Sequence, residues 1–195
     1  PTLVDPDASA KTIELYEFLK LQFGKRIISG QTDSYFDEVV SLTGKTPMLR
    51  TGDFQSYTEG YPYLWNGGHT FGKYDNGITN KLIDWYNSSG GKAIISFQWH
   101  WHSPSGGEAG TNTFYTDYTD FDIRQAVIPG TQEYNDIIRD IDDIATELKK
   151  FQDEGIPVLW RPLHEAGGGW FWWGARGPEP CLALYDILFD RLKNH

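Results

Sequence analysis

The chain has 195 residues and a formal net charge of −10. That is enough for one domain with a substantial core, but short of the ~250 residues typical of a full (β/α)8 barrel. The acidity excludes partners recognised through phosphate, so nucleic acid and an anionic membrane surface drop out, whereas a neutral substrate meets no such barrier.

Cys181 is the single cysteine, which leaves no intrachain disulfide. No apolar run approaches the ~20 residues of a membrane-spanning helix, and the opening PTLVDPDAS reads as the start of a mature, soluble domain rather than a signal peptide. Thirty aromatic residues make up 15% of the chain, many among Gly, Ser and Asn rather than in apolar runs. That placement favours surface or cleft aromatics, although packed loops also use them.

In chain order, Asp7 or Ser9 caps a helix expected over 10–23, with Ile13, Leu15, Tyr16, Leu19 and Phe23 at helical spacing and Gly24 as its stop. Residues 26–29 (RIIS) read as a first strand ending at Gly30-Gln31, followed by a short helix over 33–43. A second strand is expected over 46–51, ending near Gly52-Asp53. Residues 54–77 read as a long Gly-, Tyr- and Asn-rich loop, and 79–88 as a helix. The third strand, 92–100 (KAIISFQWH), leads into a second long loop over 101–130.

Residues 131–155 give the clearest helix, with Tyr134, Ile137, Ile138, Ile141, Ile144, Ala145, Leu148 and Phe151 on one face. Its acidic run from Asp136 to Glu147 reads as a solvated face. A fourth strand over 156–163 and a helix over 181–192 close the series. Strand and helix alternate four times with continuously apolar strands, the pattern of a parallel sheet in an α/β protein. The unusual residues all follow strands, where α/β sites are built: Gly30-Gln31, Asp53, Trp99-His100 and His164-Glu165.

The stretch WRPLHEAGGGWFWWGA at 160–175 concentrates chemistry. An apolar strand delivers Glu165, three glycines permit close approach, and four aromatics from Trp170 to Trp173 offer flat faces. Strand alternation would put Arg161 on the side of Glu165. Aromatic walls would desolvate the acid and raise its pKa, which suits a general acid. The alternative is a structural carboxylate paired with Arg161. His164 is either an orienting or substrate-contacting group or a satisfied buried histidine.

Four successive aromatics cannot face one way, so core and cleft roles both stand for them, Trp173 included. His100 and His102 have the i, i+2 spacing of a metal-binding pair, with His69, His164 and Asp53 as the other available residues. They lack a recognisable ligand pattern, so no metal and no cofactor is expected. No phosphate-binding glycine loop and no Gly-x-Ser-x-Gly elbow occurs.

Residues 156–175 closely resemble the signature of glycoside hydrolase family 26, whose best-known members are endo-β-1,4-mannanases. GKRIISGQ at 24–31, KTPMLRTGDF at 45–54 and KAIISFQWHWHSP at 92–104 resemble its first three strands, in order. The resemblance implies a (β/α)8 TIM barrel, of which residues 1–195 hold about the first four βα units, the N-terminal half of a single catalytic domain. It implies a secreted, extracellular enzyme that cleaves β-glycosidic bonds with retention, acting on neutral polysaccharide such as mannan or glucomannan. Relatives acting on mixed-linkage β-1,3-1,4-glucan or β-1,3-xylan, and a non-catalytic glycan-binding module, are the alternatives.

By position, Glu165 resembles the acid/base and Trp170 the platform beneath the sugar next to the scissile bond. His100 resembles a substrate-binding histidine with Trp99 beside it. His164 resembles a group touching the sugar or the nucleophile, Trp173 a substrate-site aromatic, and Arg161 a support for the carboxylates. A retaining pair needs a second carboxylate about 5–5.5 Å away. In this family it is a glutamate after the seventh strand, expected beyond residue 195. Appended carbohydrate-binding modules, or a C-terminal half carrying that glutamate, are the protein partners the resemblance suggests.

Overall fold

The computed structural model describes residues 3–62 and 71–195. Four βα units follow one another: β1 (Gly30–Thr32) with α2 (Asp33–Thr43), β2 (Leu49–Asp53) with α3 (Ile78–Ser88), β3 (Ile94–Gln98) with α4 (Ile123–Ala126) and α5 (Gln132–Asp153), and β4 (Val158–Arg161) with α6 (Pro178–Lys193). An additional helix, α1 (Ala10–Gln22), precedes them. The strands form one parallel sheet in the order β1-β2-β3-β4, the arrangement of a partial (β/α)8 barrel. No described helix is long and apolar enough to cross a membrane.

Local chemistry explains the helix ends. The Ser9 hydroxyl accepts the Thr12 N–H at 3.2 Å to start α1. Thr131 does the same for Tyr134 at 3.1 Å ahead of α5. Pro178 lies in the first turn of α6, with Glu179 beside it and Arg191 and Lys193 in the last turn, each charge complementing the helix dipole.

The chain divides into two compact units, and the sheet belongs almost wholly to the first: Pro1–Gly52, Gly77–Gln98 and Leu148–Arg161. Residues Ile94 to Phe97 of β3 are all buried, as expected of an inner strand covered on both faces. Gly52 in β2 is there for Phe97, whose ring occupies the space that a β-carbon at position 52 would need. Arg50, 4% exposed, pairs with Asp33 at 2.5 Å and stacks on Phe36 at 4.1 Å.

The second unit comprises Asp53–Asn76, Trp99–Glu147 and Pro162–His195. Its core is aromatic: Trp99 and Trp101 stack at 3.9 Å, and Trp172 meets Trp101 edge-on at 5.0 Å.

Four expectations need correction. The first strand lies at Gly30–Thr32 rather than 26–29, because the ladder begins only where the chain runs beside β2, Gly30 opposite Leu49. Ile13 and Phe23 of the first helical segment are exposed, and α1 buries no residue; its apolar face is only half covered. The loop over 101–130 contains a helical turn at Thr116–Tyr118 and the short α4.

The acidic run of α5 is not a solvated face: Asp136, Asp140 and Glu147 are buried. Arg139 bridges Asp136 and Asp140 at 2.9 Å each, and the Trp101 indole N–H donates to Asp140 at 2.9 Å. Burial pushes the Asp140 carboxyl up to about 7, against the opposing pull of Trp101 and Arg139.

Candidate active site

Asp53, the last residue of β2, organises the segment that leaves β3. One carboxylate oxygen accepts the backbone N–H of Gln55 and of His100, each at 3.0 Å. The other lies 2.5 Å from Nδ1 of His100. On the far side of the same imidazole, Nε2 is 3.2 Å from Nε2 of His164. A continuous chain thus runs Asp53–His100–His164, walled by the rings of Phe114 and Phe171. His164 is buried, and its carbonyl accepts the Trp173 indole N–H at 3.0 Å.

The backbone around His164 is unusual. Leu163 and Glu165 both take left-handed conformations, with φ of 49° and 57°. The strand alternation assumed from sequence therefore stops at Arg161 and does not carry through to Glu165. Glu165 is exposed, so the aromatic residues beside it do not enclose it among the described residues. Its carboxylate accepts the Trp170 indole N–H at 3.2 Å. Trp170 is 49% exposed and lies directly over Gly168, where a β-carbon would collide with the indole. From the loop after β3, Thr116 donates its N–H and its hydroxyl to the Trp170 carbonyl at 2.9 and 3.0 Å. An isolated antiparallel bridge between Tyr115 and Phe171 continues this clasp.

The other expected site residues make different contacts. Trp99 and Trp173 are 1% and 0% exposed, so packing claims both faces of each and neither offers a face to a sugar. Arg161 lies in the sheet-bearing unit, where it donates to the Gln98 amide oxygen at 3.2 Å. His102 is fully buried, its Nδ1 3.0 Å from the Thr113 hydroxyl, and burial drives its pKa down to about 3. No group of three or more His, Cys, Asp and Glu able to hold a metal occurs among the described residues, and His69 lies outside them. Asp53 is the residue whose part sequence reasoning missed. Its position after a strand marked it, but nothing in the sequence showed that its carboxylate would meet His100.

An exposed acid hydrogen-bonded to a half-exposed indole, beside a part-buried imidazole pair, can bind a ring and move protons. The strand order defines a parallel α/β protein of partial-barrel type, with this constellation on the segments after the strands. Residues 4–195 match the profile of glycosyl hydrolase family 26, and the chain belongs to that family.

A mannan endo-1,4-β-mannosidase of Thermothelomyces thermophilus is 42% identical over 201 residues, spanning 100% of this chain and 39% of that relative. The mannan endo-1,4-β-mannosidase B of a Piromyces species is 38% identical, with 100% and 34% spanned. Among solved structures, the GH26-CBM35 β-(1,4)-mannanase of Podospora anserina superposes with a TM-score of 0.85 at 40% identity, covering 98% of this chain and 42% of that one. A β-mannanase from a symbiotic protist of the termite Reticulitermes speratus, complexed with gluco-manno-oligosaccharide, gives 0.81 at 34% identity, covering 98% and 60%. The chain thus spans less than two-fifths of the length of those two mannosidases.

Proposed function

We propose that the whole protein is a retaining endo-β-1,4-mannanase, of which residues 1–195 are the N-terminal half of a single catalytic barrel. Glu165 is the acid/base: it protonates the departing glycosidic oxygen and then takes a proton from the incoming water. The nucleophilic glutamate lies beyond residue 195. Trp170 carries the sugar next to the scissile bond, and His100 and His164 contact the reacting ring. The substrate is mannan or glucomannan. A polymer of that size has to be met outside the cell, so the enzyme is extracellular, and a carbohydrate-binding module is a fitting appendage.

The observation that carries this reading is the Glu165–Trp170 contact, 3.2 Å from indole nitrogen to carboxylate oxygen. It joins a proton donor to an open flat face, the combination glycosidic cleavage needs. Glu165→Ala in the full-length protein is expected to lower kcat on mannan by about 10²–10⁴-fold, the usual contribution of general acid–base catalysis. An aryl mannoside with a good leaving group should lose much less in the bond-breaking step. Equal losses on both substrates would remove Glu165 from the acid role, and inverted product anomers would remove retention.

A further inference from the structure

We infer that Asp53 is a positioning residue that assigns the imidazole hydrogen of His100, and through His100 fixes the exchange of protons with His164. The inference rests on the reading of Glu165 as acid/base, because the neighbouring His164 is where its effect reaches the reaction. A carboxylate is an acceptor only. One Asp53 oxygen is committed to the N–H groups of Gln55 and His100, which holds the carboxylate plane in place. The second oxygen, 2.5 Å from Nδ1 of His100, therefore requires a hydrogen on that nitrogen.

With Nδ1–H assigned, Nε2 is the one ring atom through which His100 can trade a proton with His164, 3.2 Å away. Neutral His100 accepts there from the His164 Nε2–H. As an imidazolium, it donates instead. His164 cannot swing away to evade this, because its ring packs on Phe171 and Trp173 and its carbonyl is tied to the Trp173 indole. A single carboxylate on the preceding strand thus decides the direction of hydrogen bonding one residue before the acid.

Asp53→Asn tests this with almost no change in shape. The asparagine oxygen can keep the two backbone N–H groups, but its amide then points a donor at Nδ1 of His100. The hydrogen moves to Nε2, and the bond to His164 reverses. Imidazole 15N–1H correlation spectra of histidine-labelled full-length protein read this directly. In the wild type, Nδ1 of His100 is expected to carry hydrogen in the neutral ring as well as in the imidazolium. In the variant, the neutral ring is expected to carry it on Nε2 instead.

A wild-type His100 bearing only Nε2–H would overturn the inference without any variant having to fold. Kinetically, Asp53→Asn should lower kcat on mannan by about tenfold to a hundredfold through misorientation, with KM little moved and the pH profile altered. An unchanged kcat and pH profile would overturn the positioning role. Failure of the acid/base reading is distinguishable: it would appear in Glu165→Ala kinetics, whereas the hydrogen on Nδ1 is read without turnover.

Discussion

In the sheet-bearing unit large apolar side chains reach solvent, with Ile27 99% and Phe23 87% exposed, while in the aromatic unit Trp99, Trp101, Trp172 and Trp173 are buried together. The first unit rests on a parallel ladder whose outer strands, β1 and β4, each have one strand partner among the described residues. The second has little regular structure around its site and relies on ring packing and indole hydrogen bonds: Trp101 to Asp140, Trp172 to the Trp101 carbonyl, Trp173 to the His164 carbonyl. The contrast teaches that the candidate site is held by its own side chains. The loops after β3 and β4 are long, yet each is fixed by a tryptophan whose nitrogen has a specific acceptor.

The largest expected effect tests the aromatic unit. Trp173→Ala removes a fully buried indole and leaves the His164 carbonyl without that donor. It should cost about 3–5 kcal/mol by denaturant unfolding of the full-length protein. A loss below about 1 kcal/mol would mean that the rings do not hold the site, since even a modest core truncation exceeds it. The sheet unit should prove less dependent on any one side chain. Arg50→Ala breaks the pair with Asp33 and the stacking on Phe36, but Asp33 keeps Lys81 at 3.0 Å. A loss of about 1–3 kcal/mol is expected, below the cost of stranding a fully buried partner. A larger loss than for Trp173→Ala would invert the comparison.

The smallest net effect in the wild type concerns pH, because two buried groups of the aromatic unit act against one another. Asp140, raised to about 7 by burial, costs stability progressively as pH climbs from about 4, its unfolded pKa, to about 7. His102, lowered to about 3 by burial, costs stability as pH falls from about 6.5 toward about 3. The two slopes oppose one another in the wild type. Relative to it, Asp140→Asn should gain melting temperature as pH rises from 4 to 7, and His102→Gln as pH falls below 6.5. Parallel melting curves for the three proteins would show that neither group is buried as described.

The α/β order is legible in the sequence, since apolar runs and helical spacing are local signals; α2 and α5 fall within two residues of expectation. Pairing is not local, which is why β1 is displaced by several residues. The acidic run of α5 misleads for a related reason. Asp136, Asp140 and Glu147 recur at helical spacing beside Ile137, Ile141 and Ile144, and charge alone hides that they share the inner face. At the site, the acid and its aromatic neighbour are legible because they lie five residues apart. The Asp53–His100 contact spans 47 residues and is not. Which tryptophans are buried is equally invisible, because a run of aromatics states composition and not direction.

The left-handed pair flanking His164 bears on how this chain can drift. A residue with a β-carbon held at positive φ costs roughly 1–2 kcal/mol relative to glycine, which enters that region freely. Selection for folding alone would therefore favour glycine at position 165, in a stretch already rich in it. On the reading of Glu165 as the acid/base, its carboxylate is kept for turnover at the expense of the stability forgone. The residue proposed as most essential to the chemistry is thus one the fold would be quickest to give up.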